Sequence, residues 1–466
     1  MFGYLVDLSN QDLFVRIDKD YDLQIEKNNG EIIIEKVKRK ELYSNEYCSN
    51  YSLDTCLKTE DINKQLANVK HIGFEVTEAC NLKCTYCVYG EFYTDYNERK
   101  DKSADIIKAK LLIDFLIGKV NSSANKSLLN RIIISFYGGE PLLNMSFIKE
   151  IVLYSQERQN NHIVFDYVIT TNAIYLKKYI SFFVEYNFTI TVSLDGAKDN
   201  DAYRKFANGK SSFEIVYKNL EYIYKEYSNY FKEKIRFNSV MHNLNNVQDV
   251  FSFFYSNFGK IPRFSELNPF GVKLSKKKDF EDIICEKPYV KNENIYNEIK
   301  KELDLNFGEL NQLQHFVFHY SGNTYYDYND LLISIKKKDH LPTGTCIPFS
   351  KRIFMTVNNK ILPCEKIGQQ YSLGEVTDKG VDLDFDNIVD KYNRYYTSLS
   401  AKCNICYFKR HCTQCMFDIQ GLDENPICDK FANKIVFEKY LNVNMNLLLK
   451  NYHLYKRIIT EVIIVK

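Results

Sequence analysis

Two groups of cysteines carry the chemistry that this chain can do. Cys80, Cys84 and Cys87 stand in a C-x3-C-x2-C spacing, while Cys346, Cys364, Cys403, Cys406, Cys412, Cys415 and Cys428 crowd the C-terminal part. The chain has 13 cysteines, an odd number that cannot be fully paired, and its first thirty residues lack a signal-peptide apolar region. Metal ligation is therefore the expectation over disulfides. Three thiolates on one short loop can hold three corners of a cubane [4Fe–4S] cluster and leave the fourth iron open to a substrate or cofactor. A closed structural site needs a fourth ligand, and the loop offers no further Cys or His. The plainer alternatives are a zinc loop or buried cysteines for the first group and a pair of zinc knuckles for the two C-x2-C pairs. Cys48, Cys56 and Cys285 default to free thiols, and the eight histidines show no metal-ligand spacing.

The first loop has to be held by the elements around it. A β-type run His71–Thr77 leads directly into Cys80, and strand and helix patterns then alternate. Helices are expected at 102–120, 146–158, 176–186, 212–227 and 245–258, with strands at 131–136, 163–170, 188–194, 234–241 and 263–267. This rhythm predicts an α/β fold with a parallel sheet, either a partial (β/α)6 barrel or a doubly wound sheet. Before it, residues 1–70 hold alternating stretches at 4–8 and 13–17 and another at 31–37 after Asn29-Gly30, the signature of a small β-rich extension. Residues 271–344 form a charged connector of mostly helical pattern. From 345 to 432 the periodicity disappears as cysteine density rises, and 433–466 supply a C-terminal helix and tail.

Composition narrows the classes. The 466 residues exceed one domain, with 45% hydrophobic and 26% charged residues and only 18 Gly and 8 Pro, which excludes disordered and linker-rich chains. A formal charge of +2 gives no support for a nucleic-acid partner or an acidic membrane surface. The apolar runs are too short for a bilayer span, so a cytoplasmic protein is expected.

The loop Thr77-Glu78-Ala79-Cys80-Asn81-Leu82-Lys83-Cys84-Thr85-Tyr86-Cys87 resembles the hallmark of the radical SAM superfamily, with Tyr86 as the aromatic residue before the last cysteine. Further motifs follow in strand order, where a parallel barrel places its active site. Gly138-Gly139-Glu140-Pro141 resembles the family's Gly-Gly-Glu-Pro element, which implies that backbone and Glu140 hold the amino group of the methionine moiety. Thr171-Asn172 resembles the element near the ribose, and Ser193-Leu194-Asp195 the Ser-x-Asp element, with Ser193 as the direct contact. Asp201-Ala202-Tyr203-Arg204 resembles the Asp-x-x-Arg element, whose guanidinium grips the cofactor carboxylate. Asn200 stands where the family often has His, and Asn238-Ser239-Val240 matches the stretch lining the adenine.

The later cysteines resemble the seven-cysteine SPASM extension of radical SAM enzymes that modify peptides or proteins. That resemblance gives Cys403, Cys406, Cys412 and Cys428 to one auxiliary [4Fe–4S] cluster and Cys346, Cys364 and Cys415 to another. No additional cysteine lies between Cys346 and Cys364, which implies an open iron in the second cluster, available to a substrate thiolate or to a residue such as Cys285. Two departures stand out. Asn359 replaces the family's Gly ahead of Pro363-Cys364, a position Asn tolerates in the left-handed region. Cys412 and Cys415 are separated by two residues where the family has three.

The resemblance implies S-adenosylmethionine and three [4Fe–4S] clusters as cofactors, and a radical that abstracts hydrogen from unactivated carbon. It implies a peptide maturase acting on a ribosomally made precursor, forming a thioether or carbon–carbon crosslink with electrons from a donor such as flavodoxin or ferredoxin. The runner-up is an anaerobic sulfatase-maturing enzyme that makes formylglycine, with Glu365, following Pro363-Cys364, as proton acceptor. A non-enzymatic zinc-knuckle binding module is the third reading. The 1–70 extension is a candidate leader-peptide recognition element working by strand addition, or a cap on the barrel.

Overall fold

The computed structural model describes residues 5–7, 13–16, 21–28, 31–38, 56–94, 99–269 apart from 126 and 128, 271–284, 313–314, 316–317, 343–409, 412–450 and 458. Cys48, Cys285 and most of the 271–344 connector lie outside these residues. The chain divides into two compact units, one of Met1–Cys56, Asn294–Thr345 and Asn393–Lys466, the other of Leu57–Glu293 and Cys346–Tyr392.

The first unit opens with an antiparallel meander of β1 (Leu5–Asp7), β2 (Leu13–Arg16), β3 (Tyr21–Asn28) and β4 (Glu31–Lys38), in that spatial order. Asn28 pairs with Glu31 at the end of the β3–β4 ladder, and the expected Asn29-Gly30 turn lies outside the described residues.

In the second unit, α1 (Thr59–Ala67) leads to β5 (His71–Thr77). Then alternate α2 (Ile106–Val120), β6 (Asn130–Gly138), α3 (Met145–Gln156), β7 (Ile163–Thr171), α4 (Leu176–Glu185), β8 (Thr189–Ser193), α5 (Phe213–Glu226), α6 (Ser228–Lys234), β9 (Ile235–Val240), α7 (Val247–Phe258), β10 (Arg263–Ser265) and α8 (Lys277–Glu281). Helix starts follow local chemistry: the Asp105 carboxylate accepts from the N–H groups of Ile107 and Lys108, and the Asn246 side chain accepts from Asp249 N–H. Strands β5 to β10 pair in sequence order and all in parallel, the α/β arrangement of an incomplete barrel.

Period-2 alternation gives this sheet two different faces. Ile132, Ile134, Phe136, Phe165, Tyr167, Ile169, Ile190, Val192 and Phe237 are buried on the helix-covered side. The alternate residues Ser135, Tyr137, Val168, Thr170, Thr191, Ser193, Asn238, Val240 and Ser265 are only partly covered and form an open, mostly polar inner face.

The cysteine-rich stretch also enters this sheet, which its sequence did not suggest. β11 (Ile353–Met355) pairs in parallel with β5, and β12 (Lys360–Leu362), β13 (Gly374–Thr377) and β14 (Gly380–Asp382) continue antiparallel, making ten strands. Asn359 turns the chain between β11 and β12 at φ 62°, donating its N–H to Thr356 O at 2.9 Å. Two helices follow, α9 (Phe385–Ile405) and α10 (Lys434–Lys450). In the first unit, Phe437, Leu441, Met445 and Leu448 of α10 pack with Leu313, Phe316 and Val317.

Candidate active site

The cysteine loop leaves the carboxyl end of β5 and is clamped by backbone. Gly139 N–H donates to Thr77 O at 2.7 Å and Glu140 N–H to Ala79 O at 2.9 Å. A Cβ on Gly138 would lie 2.4 Å from Thr77 O, at a φ of +128°, and one on Gly139 would lie 2.2 Å from Ala79 O. The Gly-Gly pair is thus what lets the second strand's end lie against the loop.

Donors converge on the loop sulfurs. Leu82 N–H points at Cys80 Sγ at 3.4 Å, Asn172 Nδ2 at the same sulfur at 3.9 Å, and Arg204 Nη1 at Cys84 Sγ at 3.9 Å. Burial pushes the Cys80 thiol up to about 12 and raises Cys84 and Cys87 as well, so without a metal the loop is neutral. Cluster binding must then release protons, and the donors are placed to stabilise the thiolates that result. Buried polar atoms without hydrogen-bond partners, Asn81 Nδ2 and His242 Nε2, belong to this loop and to the segment just after β9. This donor set fits an anionic cluster with a polar ligand.

Glu140 follows the Gly-Gly pair just beyond β6. It is 1% exposed, and its carboxylate accepts from Leu142 N–H at 3.1 Å, the Thr171 hydroxyl at 2.6 Å and Asn172 N–H at 2.7 Å. Its geometry is that of a clasp between the ends of β6 and β7. Burial raises its carboxyl to about 7 against the pull of those donors. Asn172 Nδ2 donates to Asn81 Oδ1 at 2.7 Å, so the clasp extends to the cysteine loop.

Beside Cys84 and Cys87, the Tyr86 hydroxyl donates to Asp195 Oδ2, and Arg204 Nε lies 3.3 Å from the same oxygen. Asp195 Oδ1 accepts from Val240 N–H at 2.9 Å, and Asp201 Oδ1 accepts from Asp195 N–H at 3.0 Å. Asp195 and Asp201 are both fully buried. Burial opposes the Arg204 charge, but Tyr86, Asp195, Cys84 and Asp201 together hold it charged beyond the ordinary arginine range. Burial and the Asp195 charge raise Asp201. His242 completes the group, stacked on Tyr86 with ring centroids 6.0 Å apart and its Nε2 3.9 Å from Asp195. Its Nδ1 accepts from Leu244 N–H, and burial lowers it, so the imidazole is neutral. No spacing signal marks His242 in the sequence. Ser193 stands on the open face at the end of β8.

A second buried group escapes sequence reading too. Glu75 accepts from the Tyr89 hydroxyl at 2.6 Å, Arg99 at 3.4 Å and Val357 N–H at 3.0 Å, with Arg99 stacked 3.5 Å over the Tyr89 ring. It ties the segment after Cys87 to the strand edge joined by β11.

Glu365 is ion-paired. Arg352 Nη1 donates to its Oε2 at 2.7 Å, and Cys364 Sγ lies 3.5 Å from that oxygen. Cys346 and Cys364 belong to the second unit and Cys415 to the first. Cys403, Cys406, Cys412 and Cys428, by contrast, line one small cavity together with Lys402, Lys409 and Lys430. Among the described residues, no three His, Cys, Asp or Glu side chains gather closely enough for a single metal ion.

Residues 74–250 match the model of the Radical SAM superfamily. A cysteine-type anaerobic sulfatase-maturating enzyme of Clostridium novyi is 26% identical over 377 residues, 78% of this chain and 92% of that protein. The radical SAM cyclopropyl synthase TigE of Paramaledivibacter caminithermalis is 24% identical over 379 residues, 80% and 71% of the two chains. An uncharacterized protein of Methanocaldococcus jannaschii is 35% identical over 161 residues, and the match spans 34% of this chain and 50% of that protein. The solved structure of native anSMEcpe with bound AdoMet shares the fold at a TM-score of 0.54 and 16% identity, covering 84% of this chain and 99% of its own. Residues 74–250 thus form a Radical SAM domain, and the chain is a radical SAM enzyme related to maturases of the SPASM type. Among the described residues, no helix is long and apolar enough to cross a membrane.

Proposed function

We propose that this enzyme is a peptide maturase that abstracts hydrogen from a ribosomally made precursor and so prepares a thioether or carbon–carbon crosslink. The observation that carries this reading is the Cys80–Cys84–Cys87 loop held against Gly138-Gly139, with Asn172 and Arg204 directed at its sulfurs. A [4Fe–4S] cluster on this loop and S-adenosylmethionine together supply a carbon-centred radical. The protein's own work is to orient and to exclude solvent. Arg204 and Ser193, with the Val240 stretch, are the candidate cofactor contacts, and Tyr86, Asp195 and Glu140 fix the strand ends that carry them. The proposed auxiliary ligands are Cys403, Cys406, Cys412 and Cys428 for one cluster and Cys346, Cys364 and Cys415 for the other, with flavodoxin or ferredoxin as donor in the cytoplasm.

A second reading, formylglycine formation in a sulfatase, is supported by the extent of the match to the Clostridium novyi protein and by Glu365 following Cys364. The Arg352 ion pair opposes it, since it occupies Glu365 Oε2 at 2.7 Å and a proton acceptor must first free that oxygen. Incubating the anaerobically reconstituted enzyme with peptides encoded in neighbouring reading frames, and separately with a sulfatase-derived peptide, decides between them. A crosslinked product unreactive toward aldehyde reagents supports maturation of a precursor. An aldehyde on the sulfatase peptide alone supports the second reading. No 5′-deoxyadenosine from either, with wild type matching the Cys80/Cys84/Cys87→Ala triple variant, overturns both.

A further inference from the structure

At the mouth of the open inner face, opposite the cysteine loop, charge is distributed unevenly. On the β6–β7 side, Arg131 Nη1 donates to both oxygens of Asp166 at 3.0 and 2.9 Å, so positive charge there is neutralised. On the β9–β10 side, Arg236 and Arg263 are exposed on the same face as Asn238, Val240 and Ser265, because they share the alternation of those residues. Neither has an acidic partner among the described residues. The nearby charge is also positive: burial, then Arg236 and Lys232, lower the Lys260 ammonium below its ordinary value.

The register fixes their spacing. Arg263 is level with Asn238, two residues further along than Arg236, so the Cα atoms are roughly 8 Å apart and two long side chains can reach one carboxylate. From Arg236 to Val240, at the cofactor end, is four residues of strand, roughly 13 Å. Between them the face is polar, with Ser265 Oγ donating to Asn238 Oδ1 at 2.7 Å and Thr191 and Ser193 alongside. Such a surface offers hydrogen bonds to an extended backbone and little to a bulky apolar side chain.

Resting on the maturase reading, we infer that the inner face binds an extended substrate peptide whose Asp or Glu side chain is held by Arg236 and Arg263. The modified residue then lies two to four positions away along the peptide, since an extended chain spans about 3.3–3.6 Å per residue. Full-length enzyme, reconstituted with iron and sulfide and given S-adenosylmethionine, would be used to select from a random peptide display library. Asp and Glu should be enriched over Asn and Gln at one position by roughly ten-fold, and raised salt should release these peptides. R236Q/R263Q should lose the enrichment and R236E/R263E should switch it to Lys and Arg, with iron content and thermal melting as controls for folding. Retained peptides without acidic preference, an enrichment unchanged in R236Q/R263Q, or retention of a nucleoside triphosphate in place of any peptide would overturn the inference. If acidic peptides are captured through these arginines but never lose hydrogen, the site stands and the maturase reading falls.

Discussion

The hydroxyl of Tyr86, inside the cysteine loop, donates to the buried carboxylate of Asp195 at the end of the fourth parallel strand. That carboxylate also faces Arg204, which reaches the Cys84 sulfur. One anion therefore joins the cysteine loop, Arg204 and, through Val240 N–H, the next strand.

Asp195→Asn removes the counter-charge of a buried arginine, and breaking such a pair costs about 3–5 kcal/mol. Thermal unfolding should show that loss, and S-adenosylmethionine affinity measured by calorimetry should fall with it. Unchanged melting would mean that Asp201 alone suffices to hold Arg204.

Glu140 predicts a pH dependence of stability. Its folded carboxyl is raised from 4.5 to about 7, so its contribution is fully present below pH ~4.5 and is lost as pH rises through about 7. The loss amounts to roughly 3 kcal/mol. Denaturant unfolding of wild type and Glu140→Gln at pH 5 and pH 8 should show this extra slope only in wild type. Parallel pH profiles would mean that the carboxyl titrates normally.

Gly139→Ala would place a methyl against the Ala79 carbonyl, which is backbone and cannot yield like a flexible side chain. A destabilisation of roughly 2–4 kcal/mol is expected, with loss of iron from the Cys80–Cys87 loop. Iron analysis at equal protein concentration checks it, and full iron retention would show that the loop can retreat.

Lys402, Lys409 and Lys430 surround the cavity of Cys403, Cys406, Cys412 and Cys428. Replacing all three with Gln should lower the reduction potential of a cluster held there, because positive charge favours the reduced state. Redox titration followed by paramagnetic resonance measures this; a potential that stays put would place the cluster elsewhere.

Much of the second unit was legible because its signals are local. The strand His71–Thr77 has the bounds its alternation predicts, and the barrel strands that follow lie within a few residues of their patterns. The motifs at their carboxyl ends come together as strand order requires. What escaped depends on distant partners. β11 is three residues long, too short for any periodicity, and its place beside β5 exists only as the pairing Ile353↔Ile72. Helix α9 did carry a signal: Ile388, Tyr392, Tyr395, Tyr396 and Leu399 are buried at helical spacing, a pattern masked by the surrounding cysteine motifs. Asp195 and His242 gain their importance only from Tyr86 and Arg204, which the chain brings beside them from elsewhere.

The pairing of β5 with β11 also sets a timetable for synthesis. β5, with the cysteine loop at its end, leaves the ribosome roughly 280 residues before its second neighbour, an interval of about 15–55 s at ordinary elongation rates. Throughout that time the strand presents an open edge able to pair with other nascent chains. Iron loading that waits for release of the finished polypeptide would protect the loop from being filled before its edge is covered.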